Sequence, residues 1–156
     1  MKYKGKKVQG KNTEIIAIPR ASGNLIFIAE AVPDWNDFNK YCPEPQPPTK
    51  LKPGGITTVN ENDPLYRKKI EEYNTLRTHW LVIKSLQVTE DLEWETVDFT
   101  KSETWPNYEK ELKDSDFTPL EIGRIVRGVM VANAIDDAMI EAAKSDFLAT
   151  QGEQGK

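Results

Sequence analysis

The sequence predicts an α+β chain, mostly α-helical, in which an N-terminal β-hairpin precedes a proline-rich strap, one long helix and a C-terminal helix pair. Three observations carry this. Glu14-Ile15-Ile16-Ala17-Ile18 and Leu25-Ile26-Phe27-Ile28-Ala29 are apolar, β-branched runs on either side of Ser22-Gly23-Asn24, the pattern of a hairpin. Asp63-Pro64 opens a long stretch with apolar residues at helical spacing. Thr118-Pro119-Leu120-Glu121 supplies a capping hydroxyl, a proline at the first helical position and a glutamate three residues on.

Taken in order, residues 1 to 12 read as a flexible basic arm. Its first eleven residues hold five lysines and no acid. A basic arm can grip nucleic acid or an acidic protein. This one lacks arginine and carries one aromatic, Tyr3, which favours a disordered, solubilising role over nucleic-acid binding. Residues 13 to 149 are expected to form a single α+β domain. The hairpin covers 13 to 32, with Gly23 free to take positive φ in the turn. An isolated hairpin is marginal in water, so one of its faces must pack on helices or on a partner. Pro33 to Phe38 suggests a short helix capped by Asp34, with Trp35 and Phe38 on one side.

Residues 42 to 55 hold five prolines and end in Gly54-Gly55. Such a strap is extended and polyproline-like. It suits a recognition peptide for an aromatic groove, although a stiff surface strap is the simpler reading. The long helix is expected over 63 to 86, with Asp63 as cap and Pro64 in the first turn. Tyr66, Ile70, Tyr73, Arg77, Trp80 and Ile83 share its main face. This face serves a core or a docking surface, and a small domain needs it for its core.

Residues 90 to 116 hold ten acids against three lysines, with Trp94, Phe99, Trp105 and Tyr108 set among them. Trp105 to Leu112 suggests a short helix, and Leu92 to Phe99 fits either a strand or a helix. Asp114-Ser115-Asp116 lacks the glycine and the distal glutamate of a calcium loop. The helix pair occupies 118 to 148. In its first helix Ile122, Ile125, Val126, Val129 and Met130 fall on one face. Asn133 is expected to end that helix in a left-handed conformation. Asp136 would cap the second, with Ile135 and Ile140 as a hydrophobic staple. Ile140, Ala143, Phe147 and Leu148 would continue its apolar face. Residues 150 to 156 read as a frayed, flexible tail.

Chemistry is hard to find. His79 is the only histidine and Cys42 the only cysteine, which rules out an internal disulfide framework and a two-histidine metal site. Glycine spacing fits no nucleotide-binding loop. The carboxylates of 90 to 116 are explained by a solvated face. No catalytic, cofactor or metal residues are therefore expected, and the reading is non-enzymatic. No apolar run is long enough for a membrane span, and no apolar segment follows the basic N-terminus as in a signal peptide. Four tryptophans and five tyrosines remain in a chain only 38% hydrophobic. Tryptophan, tyrosine and arginine are the usual interface anchors. The expected partner-binding residues are Tyr66, Ile70, Tyr73, Trp80, Trp94, Trp105 and Tyr108. The competing reading has the tryptophans pin the acidic segment to the long helix, and both can hold.

Several segments together resemble the tail assembly chaperones of long-tailed (siphovirus-type) bacteriophages and related small phage tail-cluster proteins. They are Lys6 to Gly10, Cys42 to Pro48 with Pro53-Gly54-Gly55, Asp63-Pro64 through Trp80 and Leu86, Leu92 to Asp98 with Trp105, and the helix pair ending Phe147-Leu148-Ala149. The resemblance implies a small non-enzymatic protein of the host bacterial cytoplasm. It would bind the phage tape-measure protein, keep that helical chain soluble and recruit tail-tube subunits, with self-association possible. A rival expectation is a structural virion protein, either a tail-completion or a tube-associated component. A second rival is a small nucleic-acid or host-protein binding module.

Overall fold

The computed structural model describes residues 1–133 and 137–154. The fold is α+β and mostly helical, with an N-terminal hairpin and helices toward the C-terminus. The chain groups into two compact units where one domain was expected. The first comprises Met1–Val32, Lys84–Leu92 and the residues from Asp116 onward; the second comprises Pro33–Ile83 and Glu93–Ser115.

The first unit begins with a basic arm that is folded where a flexible one was expected. The basic arm contains a small antiparallel hairpin, β1 (Lys2–Tyr3) with β2 (Lys6–Lys7). Lys4 and Gly5 both take positive φ, at 47° and 79°, as the two central residues of a type I′ hairpin turn must. Next come β3 (Thr13–Ile18) and β4 (Leu25–Glu30), antiparallel in the register Ile16↔Phe27 and Ile18↔Leu25. Side chains alternate between faces of a strand. Ile16, Ile18, Phe27 and Ala29 are accordingly buried on one face.

Helix α4 (Pro119–Ala132) covers that face. Its start is as expected: Thr118 Oγ1 accepts from the Glu121 amide, and Glu121 Oε1 accepts from the Thr118 amide. Ile122, Ile125 and Val129 are buried on its inner side. Gly128 makes the close approach possible, because a Cβ there would overlap Ile16 Cγ1 and Cδ1. Asn133 ends the helix at φ −89°, so the left-handed ending is not adopted. Its side chain holds the backbone instead. Oδ1 accepts from the Val32 amide at 2.9 Å, while Nδ2 donates to Val129 O at 2.8 Å and Ser85 Oγ at 2.9 Å. A side-chain amide that closes the last turn removes the need for αL geometry.

Helix α5 runs Asp137–Gln154. It therefore continues through most of the expected tail. The Asp136 cap and the Ile135 staple lie outside the described residues.

The second unit begins with α1 (Asn36–Tyr41), whose first amide is bonded by Asp34 Oδ1 at 2.8 Å. The first half of the proline strap, Pro43 to Pro48, carries no regular secondary structure. From Thr49 it folds into a hairpin of β5 (Thr49–Lys52) and β6 (Ile56–Val59). Gly54 and Gly55 turn at φ 95° and 80°, a conformation that costs glycine nothing sterically. Helix α2 spans Pro64–Ser85 and is capped by Asp63 Oδ2, which accepts from the Tyr66 amide at 2.9 Å; a 3-10 turn, Leu86–Val88, follows it. Helix α3 covers Asn107–Asp114.

Leu92 to Phe99 is neither strand nor helix. Side chains bond its backbone in place of a ladder. Glu111 accepts from the amides of Glu95 and Thr96, and Thr104 Oγ1 accepts from the Asp98 amide. The core of this unit is aromatic. Phe38 lies 5.2 to 5.7 Å, ring to ring, from Tyr73, Trp80 and Trp105.

Candidate binding groove

A cavity of about 390 Å³ opens beside that aromatic core, lined by Trp35, Phe38, Asn39, Glu44, Ile70, Tyr73, Asn74 and Arg77. Two elements and the first half of the strap build it. Helix α2 contributes Ile70, Tyr73, Asn74 and Arg77, which fall within two turns on one side because i+3, i+4 and i+7 positions share a face. Helix α1 contributes Trp35, Phe38 and Asn39 from its N-terminal side, and the strap contributes Glu44.

The wall is held by contacts among its own residues. Trp35 meets Phe38 edge-on at 5.9 Å and Trp80 at 5.0 Å. The Arg77 guanidinium carbon lies 5.0 Å from the Trp35 ring centre, so the cation rests on the ring's negative face. Tyr73 donates its hydroxyl to Asn39 Oδ1 at 3.1 Å. Burial pushes the Tyr73 pKa up, and the Glu44 carboxylate adds to this while Arg77 opposes it. The phenol therefore stays protonated and keeps donating. A cationic group and an anionic group thus face a cavity walled by rings. This arrangement suits an apolar or aromatic side chain flanked by polar or charged groups.

The anticipated site residues divide by burial. Ile70 and Tyr73 line the groove, and Tyr66 is half-buried one turn before them on α2. Trp94 is half-buried and meets Tyr108 at 6.1 Å. Trp80, Trp105 and Tyr108 are 1%, 0% and 1% exposed. They are corrected from partner anchors to core pillars, since a side chain with no free surface has none to offer. The Trp105 indole donates to Phe99 O at 3.3 Å, a bond within the acidic segment, whereas Tyr108 meets His79 of the long helix. The Tyr108 hydroxyl sits 3.3 Å from His79 Nδ1 and 3.5 Å from Glu109 Oε1. Burial, then the Glu109 charge, drives its pKa well above the usual tyrosine range. His79 is a half-buried helix residue, as expected.

The sequence reading passed over Asn39, Glu44 and Asn74. Trp35 and Phe38 gave a signal through their i, i+3 spacing. Glu44 gave none, because its position depends on how the strap runs. Cys42 is buried, and that burial raises its thiol pKa. Among the described residues no group of three His, Cys, Asp or Glu side chains could hold a metal ion. No described helix is long and apolar enough to cross a membrane. No family model, curated protein or solved structure matches the chain.

Proposed function

We propose that this protein is a non-enzymatic phage tail assembly chaperone of the host cytoplasm that binds the tape-measure protein and helps recruit tail-tube subunits. One observation supports a binding role above the others. Helix α5 presents Ile140, Phe147 and Leu148 to solvent at 41%, 59% and 67% exposure. Ala143 completes their stripe at helical spacing, and it too is exposed. A helix of this length whose described side chains are all exposed is only marginally stable alone in water. A facing amphipathic helix would stabilise it by covering the stripe. Glu141 and Asp146 lie at the edges of the stripe, with Asp137 and Lys144 within it, so a complementary helix is apolar on one side with lysine or arginine at its edges. The groove at Tyr73 and Arg77 offers a second, smaller foothold, and two weak contacts permit displacement as the tube grows.

The test is binding of purified protein to tape-measure fragments, with Phe147→Asp/Leu148→Asp as the variant. Both side chains are exposed, so the variant keeps its fold. Loss of tape-measure binding with unchanged circular dichroism is the expected result. Undiminished binding removes α5 from the account.

A structural virion role is the alternative reading. The specific observation in its favour is the outer edge of β3, which no described residue hydrogen-bonds.

A further inference from the structure

We propose that β3 pairs edge to edge with β3 of a second copy of this chain, joining two hairpins into one four-stranded antiparallel sheet across a two-fold axis. This inference is independent of the chaperone reading. The Ala31 amide donates to Asn12 O at 2.9 Å, so Asn12 and Ala31 form a hydrogen-bonded pair that continues the ladder. Antiparallel pairs alternate between bonded and non-bonded. Thr13, Ile15 and Ala17 must then direct their N–H and C=O groups away from β4. The far side of the sheet agrees. Ile28, the partner of Ile15, bonds outward through both its amide and its carbonyl to Thr89 Oγ1, at 2.9 and 3.0 Å.

The two edges are thus treated differently. Thr89 closes the middle of the β4 edge. Nothing among the described residues closes the β3 edge at Thr13, Ile15 or Ala17. Natural sheets guard open edges with lysine, proline, bulges or inward charges. From Thr13 to Ile18 β3 has no lysine, proline or bulge, and its one guard is the charge of Glu14 on the covered face. The outer face continues the theme. Ile15 is 69% and Ile26 48% exposed, and Ala17 is exposed beside them. A two-stranded ribbon with an unbonded edge and an apolar outer face is an incomplete sheet.

Charge selects the occupant and the register. A neighbouring strand must bring apolar or neutral residues to the outer face and must not set an acid against Glu14. The β3 strand itself meets both conditions. With Ile15 opposite Ile15 of the partner subunit, Thr13 faces Ala17 of the partner subunit and Glu14 faces Ile16 of the partner subunit. Sliding the partner strand by two residues would place the two Glu14 carboxylates opposite each other, which is repulsive. Only the outward-pointing residues can form bonded pairs across the axis, and Ile15 is one of them. Edge pairing alone buries little surface, so the dimer is of the weak, concentration-dependent class.

Sedimentation across about 1 μM to 1 mM should show the mass rise from 17.8 kDa to twice that value. Ile15→Lys should hold it at the monomer mass with unchanged circular dichroism. Register is read by cross-linking. Opposed residues of a bonded pair have Cα atoms about 5.5 Å apart, within disulfide reach. Ile15→Cys should therefore give a reducible dimer on mild oxidation, and Ile26→Cys, on the same face of β4, should not. Amide exchange at Thr13, Ile15 and Ala17 should slow as concentration rises. A single monomer mass over the whole range, or cross-linking at Ile26→Cys as readily as at Ile15→Cys, would overturn the proposal. Slowing of those amides only when an unrelated extended peptide is added would overturn it too.

Discussion

Replacing Gly128 with alanine isolates the contact that seats α4 on the hairpin. A Cβ at this position would lie closer than 3.0 Å to both Cγ1 and Cδ1 of Ile16. Ile16 is 4% exposed, so it cannot swing into solvent. Relief requires an off-rotamer Ile16 or a shift of the helix. Adding a methyl group to a packed core in this way costs about 1–3 kcal/mol, and overlap with two atoms of a confined side chain puts it near the top of that range. Against this, glycine to alanine in a helix gains about 1 kcal/mol. The net expectation is a loss of about 2 kcal/mol, read as a lower urea midpoint at constant slope. Ile16→Ala in the same chain makes room for the new methyl. The double mutant should be more stable than the sum of the two single changes by about 1–3 kcal/mol. A neutral or stabilising Gly128→Ala would refute the close approach, since helix propensity alone would then be acting.

Three further outcomes follow from the packing and the titrating groups. Trp105→Ala removes a fully buried indole together with its hydrogen bond to Phe99 O, and should cost about 3–5 kcal/mol in urea unfolding. Hydrogen bonding from Thr118, then the charges of Arg20 and Arg124, holds the Glu121 carboxyl below its ordinary range. Its folded pKa is lower than its unfolded one, so its stabilisation is present above the unfolded value, about 4.3, and fades as pH falls through the folded one. Glu121→Gln should flatten the acid limb of the stability curve. Tyr108 has a raised folded pKa. Its stabilisation is complete below the ordinary tyrosine value of about 10 and declines at higher pH, and Tyr108→Phe should reduce the alkaline loss measured by circular dichroism.

Local signals were legible where chemistry acts within a few residues. The capping box at Thr118, the Asp63 cap, the alternation of β3 and β4 and the apolar side of α4 all follow from short-range rules. The aromatic core was legible as composition but not as burial. Trp80 and Trp105 carry the same residue type that anchors interfaces, and only the packing of Phe38 between them decides that they are interior. The turns at Lys4-Gly5 and Gly54-Gly55 were readable in principle. A run of lysines and a run of prolines each drew attention away from the glycine that makes the hairpin. The Asn133 ending was hidden because its partners, Val32 and Ser85, are far away in sequence. Glu44 was missed as a groove residue for the same reason. In α5 the stripe was visible, but its solvent exposure was not, because a pattern of apolar residues does not say what covers them.

Mass spectrometry on two samples from one infection tests the central claim most directly: purified mature particles, and complexes captured from lysate through a tag on this protein. The account predicts absence from the particles and a long helical tail protein in the capture. Stoichiometric presence in mature particles would contradict it and make the protein a structural part of the virion.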